Sequence, residues 1–190
     1  MLPAAMHRNE NLLDLLLELQ ILDRVPRMGY LLRGVSRPES VAEHSWHVAL
    51  LSWTLGAEEP EVDAAHAVEM ALVHDLAEAR LGDLPRTTGK YLPRAAKHEA
   101  ERRTLEELAA PNGERVLALW EEYQAGETAE ARLVKACDKL QLMIKIHAYE
   151  SWGDGSLSEF WENPENFPDG GFSSVRALFE ALLDRRAAAE

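Results

Sequence analysis

Apolar positions along this chain recur at helical spacing, and no stretch alternates convincingly as a half-buried strand would. The first run, Asn11 to Asp23 (NLLDLLLELQILD), carries leucines on nearly every side. It predicts a helix buried by more than one neighbour and available for a dimer contact. Arg24 to Gly29 (RVPRMG) breaks it. Ser40 and Glu43 form a capping box, so the next helix begins just before His44 and runs to Gly56. Asp63 suits an N-cap, and Ala64 to Leu76 reads as a third helix that Gly82 ends, with Val73 to Asp83 in its last turns. The Pro93 to Ala110 helix, closed by Pro111-Asn112-Gly113, alternates charges as a solvated face does, and His98 on it has no evident role. Glu114 to Gln124 is a short amphipathic helix, and Thr128 caps a long one reaching Glu150. Beyond it come a second capping box, Ser156 to Glu159, a loop from Pro164 to Gly171 and a final helix ending in Arg185-Arg186, with no catalytic constellation. The predicted class is all-α. At 190 residues, with no Pro/Gly/Ser-rich linker, the chain reads as a single domain over 1–190, its motif-bearing core near 12–149 and a C-terminal helical extension over 150–190.

Charge narrows the partners. A formal net charge of −13 argues against a nucleic acid polymer, whose binding depends on basic surface, and leaves a small phosphorylated metabolite open. The single Cys137 excludes an internal disulfide and fits a reducing cytoplasm. No signal peptide and no run of about 20 apolar residues is present, so the expectation is a soluble cytoplasmic protein with no membrane partner.

The densest chemistry lies between Val73 and Asp83 (VHDLAEARLGD). On a continuous helix His74 and Glu78 share a face, and Asp75 is rotated from His74 by about 100°. An imidazole beside a carboxylate on a mostly apolar helix suits a divalent cation that accepts nitrogen and oxygen. Two ligands do not hold a metal. His44 shares a stripe with Val41, Val48, Leu51 and Leu55, where a histidine is more often a satisfied core residue than a ligand; the acidic-histidine pair downstream favours ligation. His47 is a candidate outer donor. Asp138, set among Val134, Cys137, Leu142 and Met143, is costly to bury unless it meets a cation, the alternative being a surface pair with Lys135 or Lys139. Arg24, Arg27, Arg33 and Arg37 crowd one loop of this acidic chain, either as a solvated basic loop or as a phosphate clamp. The Leu84 to Lys90 loop borders the motif and suits a lid.

The order His44, His74-Asp75, Asp138 on three separate helices resembles the HD-domain metal-dependent phosphohydrolases. Within them the chain is similar to the 5′-deoxynucleotidase family, on Arg24-Val25-Pro26, Arg33-Gly34-Val35, Pro38 to His44, Leu72 to Glu78 with Gly82-Asp83, and Val134 to Lys139. The resemblance implies a helical HD-domain bundle in which His44, His74, Asp75 and Asp138 hold one divalent metal ion (Mn, Co, Fe, Zn, Ni or Mg). It implies Glu78 as the carboxylate acting on the attacking water, Asp83 as a second functional acid near sugar and phosphate, and Arg24 as the phosphate-binding arginine. Arg33, from the same basic loop, is a second substrate-binding candidate. A nucleotide substrate and a homodimer are implied as well. Where some members carry a tryptophan after the arginine, this chain has Val25, so either the preference for deoxyribose over ribose is lost or Tyr30 or Trp46 replaces that wall. His98 is the only histidine between Asp75 and Asp138, which points to one metal and a monoester. Other readings are an HD enzyme for nucleoside triphosphates or a guanosine alarmone, and a nucleotide-binding module with a vestigial site. Triphosphates would need more basic residues than the arginine loop supplies.

Overall fold

The long helix α8 (Ala129–Ser151) is the axis of the fold, because its apolar residues are too broadly distributed for one neighbour to cover. Leu133, Val134, Ala136, Cys137, Leu140, Met143 and Ile146 are all shielded from solvent. They are covered by α3 (Val41–Gly56), α4 (Ala64–Val73), α7 (Gly113–Ala125) and α10 (Ser173–Ala187). The structure, a computed structural model, describes residues 4–108 and 113–188, with side chains from 11 onward. Among the described residues the secondary structure is helical, with one isolated antiparallel bridge between Pro26 and Ser40.

Local sequence signals set several helix starts. Ser40 caps α3 as expected: its hydroxyl accepts the Glu43 N–H at 3.1 Å, and the Glu43 carboxylate accepts the Ser40 N–H at 2.7 Å. Asp63 accepts the Ala65 and His66 N–H groups at the start of α4, and Thr128 accepts that of Ala131 at the start of α8.

The structure departs from four expectations. Helix α1 (Ala4–Leu19) begins earlier than Asn11 and tightens into a 3₁₀ turn over Gln20–Asp23. Its leucines are not buried by several neighbours: Leu13, Leu16 and Leu17 are 56%, 50% and 61% exposed, because the rest of the fold covers little of this helix. Helix α4 stops at Val73 instead of running to Leu76. The chain then turns through 74–77 with bonds three residues apart, Leu76 N–H to Val73 O and Glu78 N–H to Asp75 O, into the single turn α5 (Glu78–Leu81). The Ser156 box does not start a helix either; the Ser156 N–H donates to Arg33 O at 2.8 Å, and the short helix there is α9 (Ser158–Trp161).

The C-terminal residues are more than an appendage. Trp161, Phe172, Val175, Phe179 and Leu182 belong to the same apolar core as α3, α4 and α8. Short helix α2 (Met28–Leu31) sits in the arginine loop, whose base is closed where Arg27 N–H meets Glu39 O and Val41 N–H meets Val25 O, both at 2.9 Å. Helix α6 (Arg94–Leu108) packs on α7 and completes the side of the bundle facing that loop. No helix among the described residues is long and apolar enough to cross a membrane.

Candidate active site

The site is built around the turn that ends α4. His74 and Asp75 are adjacent there, and Asp75 Oδ2 lies 3.2 Å from His74 Nε2. His44, from α3, joins them, and one ligand atom from each of His44, His74 and Asp75 lies within 4.8 Å of the others. Asp138 on α8 adds its Oδ1 at 3.2 Å from His44 Nε2. The four residues expected around a metal are therefore together, three in one tight group and Asp138 against His44.

Hydrogen bonds decide which imidazole nitrogen faces the group. His74 Nδ1 lies 2.7 Å from Ala71 O, a pure acceptor, so this nitrogen carries the proton. For His44 the logic runs through three residues. The Gln141 amide NH₂ meets both Glu39 carboxylate oxygens at 3.0 and 2.9 Å, which turns its oxygen toward His44 Nδ1 at 2.6 Å. That nitrogen must donate. Lys145 pairs with Glu39 at 3.0 Å, and the Glu39 N–H donates to the Tyr149 hydroxyl at 2.7 Å. Both Nε2 lone pairs thus point at carboxylate oxygens, and neither atom makes a hydrogen bond although both are buried. Acceptor facing acceptor is repulsive; a divalent cation between them resolves it, and two imidazoles with two carboxylates are a suitable donor set.

Glu78 is buried beside this group with Oε2 unpartnered. Burial, then the negative charges of Asp75 and Asp83, push its carboxyl up to about 10. Burial would raise Asp75 too, but His74 and Arg27 outweigh it and hold Asp75 well below the usual carboxylate range. Asp138 is held low against burial by Lys139 and His44, and His74 is raised against burial by Asp75. The two neighbouring acids therefore ionise readily while Glu78 holds its proton, a separation typical of acid–base sites.

These groups open onto a cavity of about 1110 Å³. Asp83 stands at its edge, accepting the Met28 N–H at 2.5 Å and Arg27 Nη1 at 3.2 Å; the same Nη1 reaches Asp75 Oδ2 at 3.4 Å. The arginine that the loop delivers is Arg27, because the Pro26–Ser40 bridge turns the chain there. Arg24 is exposed and is not among the residues lining the cavity. Arg33 lines the mouth, paired with Glu159 of α9. His47 turns back to its own helix at Glu43 O. Tyr30 lies in the cavity wall whereas Trp46 is 59% exposed. His98, expected to be idle, stacks on Trp120 at 4.8 Å and also lines the cavity.

The sequence reading missed Glu39, Gln141 and Lys145, although Asp138, Gln141 and Lys145 follow one another at helical spacing as polar residues on an apolar stripe. It also missed the cations of 86–97 and 135–139. Arg86, Lys90, Arg94, Lys97, Lys135 and Lys139 all line the cavity, so the arginine loop is not its only basic cluster.

Residues 19–173 match the HD domain family, and the chain belongs to it. Among its relatives, the 5′-deoxynucleotidase HDDC2 of Danio rerio is 32% identical over 186 residues, 94% of this chain and 89% of that protein. A conserved hypothetical protein from Pyrococcus furiosus has a similar structure, with a TM-score of 0.78 and 37% identity over 90% of this chain and 99% of its own. The HD phosphohydrolase DatZ of cyanophage S-2L, bound to dA and one catalytic Zn²⁺ ion, is 26% identical with a TM-score of 0.52 over 88% of this chain and 82% of its own.

Proposed function

We propose that this protein is a metal-dependent 5′-deoxynucleotidase that hydrolyses deoxynucleoside 5′-monophosphates to nucleoside and inorganic phosphate. The observation that carries the reading is the pair of buried, unpartnered Nε2 atoms of His44 and His74, facing Asp75 and Asp138, with the buried Glu78 carboxyl, its Oε2 also unpartnered, alongside. The 5′-deoxynucleotidase relatives and the dA-bound phosphohydrolase support the substrate class.

His44, His74, Asp75 and Asp138 hold one divalent ion in this reading. When bound, the ion supplies Lewis acidity, acidifying water and neutralising phosphate charge. Glu78, once ionised, accepts the proton of the attacking water. As the new P–O bond forms and the bond to the 5′ oxygen breaks, that oxygen takes up a proton and leaves as the nucleoside hydroxyl. Asp83 holds Arg27 and the Met28 N–H in place, keeping a guanidinium over the acids and the start of α2 at the cavity edge. Tyr30 and Phe160 offer apolar wall to the sugar and base, with Arg33 at the mouth. The chain functions as one domain in the cytoplasm, and the exposed leucines of α1 meet their counterparts in a homodimer, whose mass sedimentation would report.

The test is a panel of deoxyribonucleoside and ribonucleoside mono- and triphosphates assayed with Mn, Co, Fe, Zn, Ni and Mg. Phosphate release from the deoxy monophosphates is expected. Pyrophosphate or triphosphate release would instead favour a nucleoside triphosphate hydrolase, a reading that the additional cavity cations bring forward.

A further inference from the structure

One cation of the cavity is held in place without an acidic partner. Lys135 lies on α8 one turn before Asp138 and is half-buried. Its aliphatic stem runs over Gly126, where φ is +67° and a Cβ would stand 2.9 Å from Lys135 Cε. Its ammonium sits 4.6 Å from the centroid of the Tyr123 ring, and that ring packs edge-on against His74 at 5.3 Å. Stem and head are both fixed, one aromatic ring away from the metal-type cluster. Among the described residues no carboxylate lies within ion-pair distance of Lys135; Asp138, the next acid along, faces His44 and Lys139. Arg94, the first residue of α6, lines the same cavity and also has no carboxylate partner among the described residues.

That arrangement is unfavourable by itself. Burial, with Arg94 and Lys139 nearby, pulls the Lys135 ammonium below its ordinary range. In a chain of net charge −13, acidic partners for such a lysine are plentiful, yet among the described residues none pairs with it, and the pull of Asp138 does not offset burial and the neighbouring cations. Arg27 differs: its guanidinium is already engaged by Asp75 and Asp83, so little of its charge is left for an incoming anion.

We propose that Lys135, with Arg94 at the rim, forms the anion subsite that receives the phosphate group of a phosphate monoester, leaving Arg27 to order the acids. This rests on the phosphohydrolase reading above. The ammonium acts as a point charge for a doubly negative phosphate. Tyr123 keeps its stem from folding away while leaving its donors free.

Inorganic phosphate is the probe, titrated calorimetrically into the metal-loaded full-length protein. Lys135→Met keeps the stem and its contact with Tyr123 but removes the charge. The expected result is a phosphate Kd raised roughly tenfold or more, the loss of one charge-assisted hydrogen bond, with metal content and Tm unchanged. Lys135→Arg should recover much of the affinity. Arg94→Met, at an exposed helix start, should cost a smaller factor and serves as a second test should Lys135→Met fold poorly. Phosphate binding at wild-type strength in both methionine variants, or none in the wild type, would overturn the proposal and leave Lys135 as packing for Tyr123. Wild-type protein that binds phosphate through Lys135 yet turns over no monophosphate would overturn the phosphohydrolase reading alone.

Discussion

On one wall of the cavity both imidazoles of the cluster are backed by partners: Gln141 behind His44, Ala71 O behind His74, with Glu39 and Lys145 behind Gln141. Elsewhere around the cavity, as a second wall, cations stand on the 84–90 loop, the start of α6 and α8 at Lys135 and Lys139, several of them open to solvent. The first wall is organised by hydrogen bonds that select one tautomer and one orientation. The second works through charge, in a region where salt and side-chain motion weaken any single contact. Substitutions on the buried wall should act nearly all-or-none, and those on the basic wall by degrees.

Breaking the buried wall at its proton carrier should have the largest effect. Glu78→Gln is expected to lower turnover of a deoxynucleoside monophosphate by about 10²–10⁴-fold while bound metal, measured by elemental analysis, is retained. Equal loss of metal would mean that Glu78 is a ligand. Next, Gln141→Leu removes the acceptor that keeps the His44 proton on Nδ1. Metal affinity should fall by roughly 10–100-fold in a competition titration, and unchanged affinity would reduce Gln141 to packing.

The pH dependence of stability sharpens the same contrast. Folding raises the Glu78 carboxyl from its ordinary value of 4.5 to about 10, so the folded state favours its protonated form. The resulting stabilisation is complete below the unfolded value and is lost as pH rises through the folded one. Asp75 and Asp138, held low, act in the opposite direction and only in acid, where falling pH removes their contribution. Urea unfolding of the metal-free protein between pH 5 and 9 should therefore show stability declining with pH, with a shallower slope in Glu78→Gln. The smallest effect belongs to the basic rim. The Arg86–Glu165 pair spans 3.0 Å, but its side chains are 74% and 73% exposed, so Arg86→Ala should shift stability by at most about 1 kcal/mol in the same unfolding assay.

Much of the fold was legible because the signals are local. Ser40, Asp63 and Thr128 satisfy N–H groups within three residues of themselves, and the apolar repeat of α8 reports its own burial. The cluster was legible through residue type: His44, His74, Asp75 and Asp138 sit on apolar stretches where such groups need a reason to be buried. Other features depend on partners distant in the chain. Arg24 and Arg27 share a loop and a chemistry, and the bridge between Pro26 and Ser40 selects which of them reaches Asp75 and Asp83. The role of Gln141 requires Glu39 and His44 to meet α8 from across the sequence. The leucines of α1 look like core in one dimension and prove exposed because the rest of the chain does not cover them.

The capped helix starts and the clustered imidazoles and aspartates were thus determined by the sequence itself, since both follow from forces that act within a turn or two of the chain or from the cost of burying charge. Which nitrogen each histidine presents, which arginine reaches Asp75 and Asp83, and that Lys135 meets no carboxylate among the described residues were decided only in the tertiary structure, because each depends on partners that become neighbours when the helices pack.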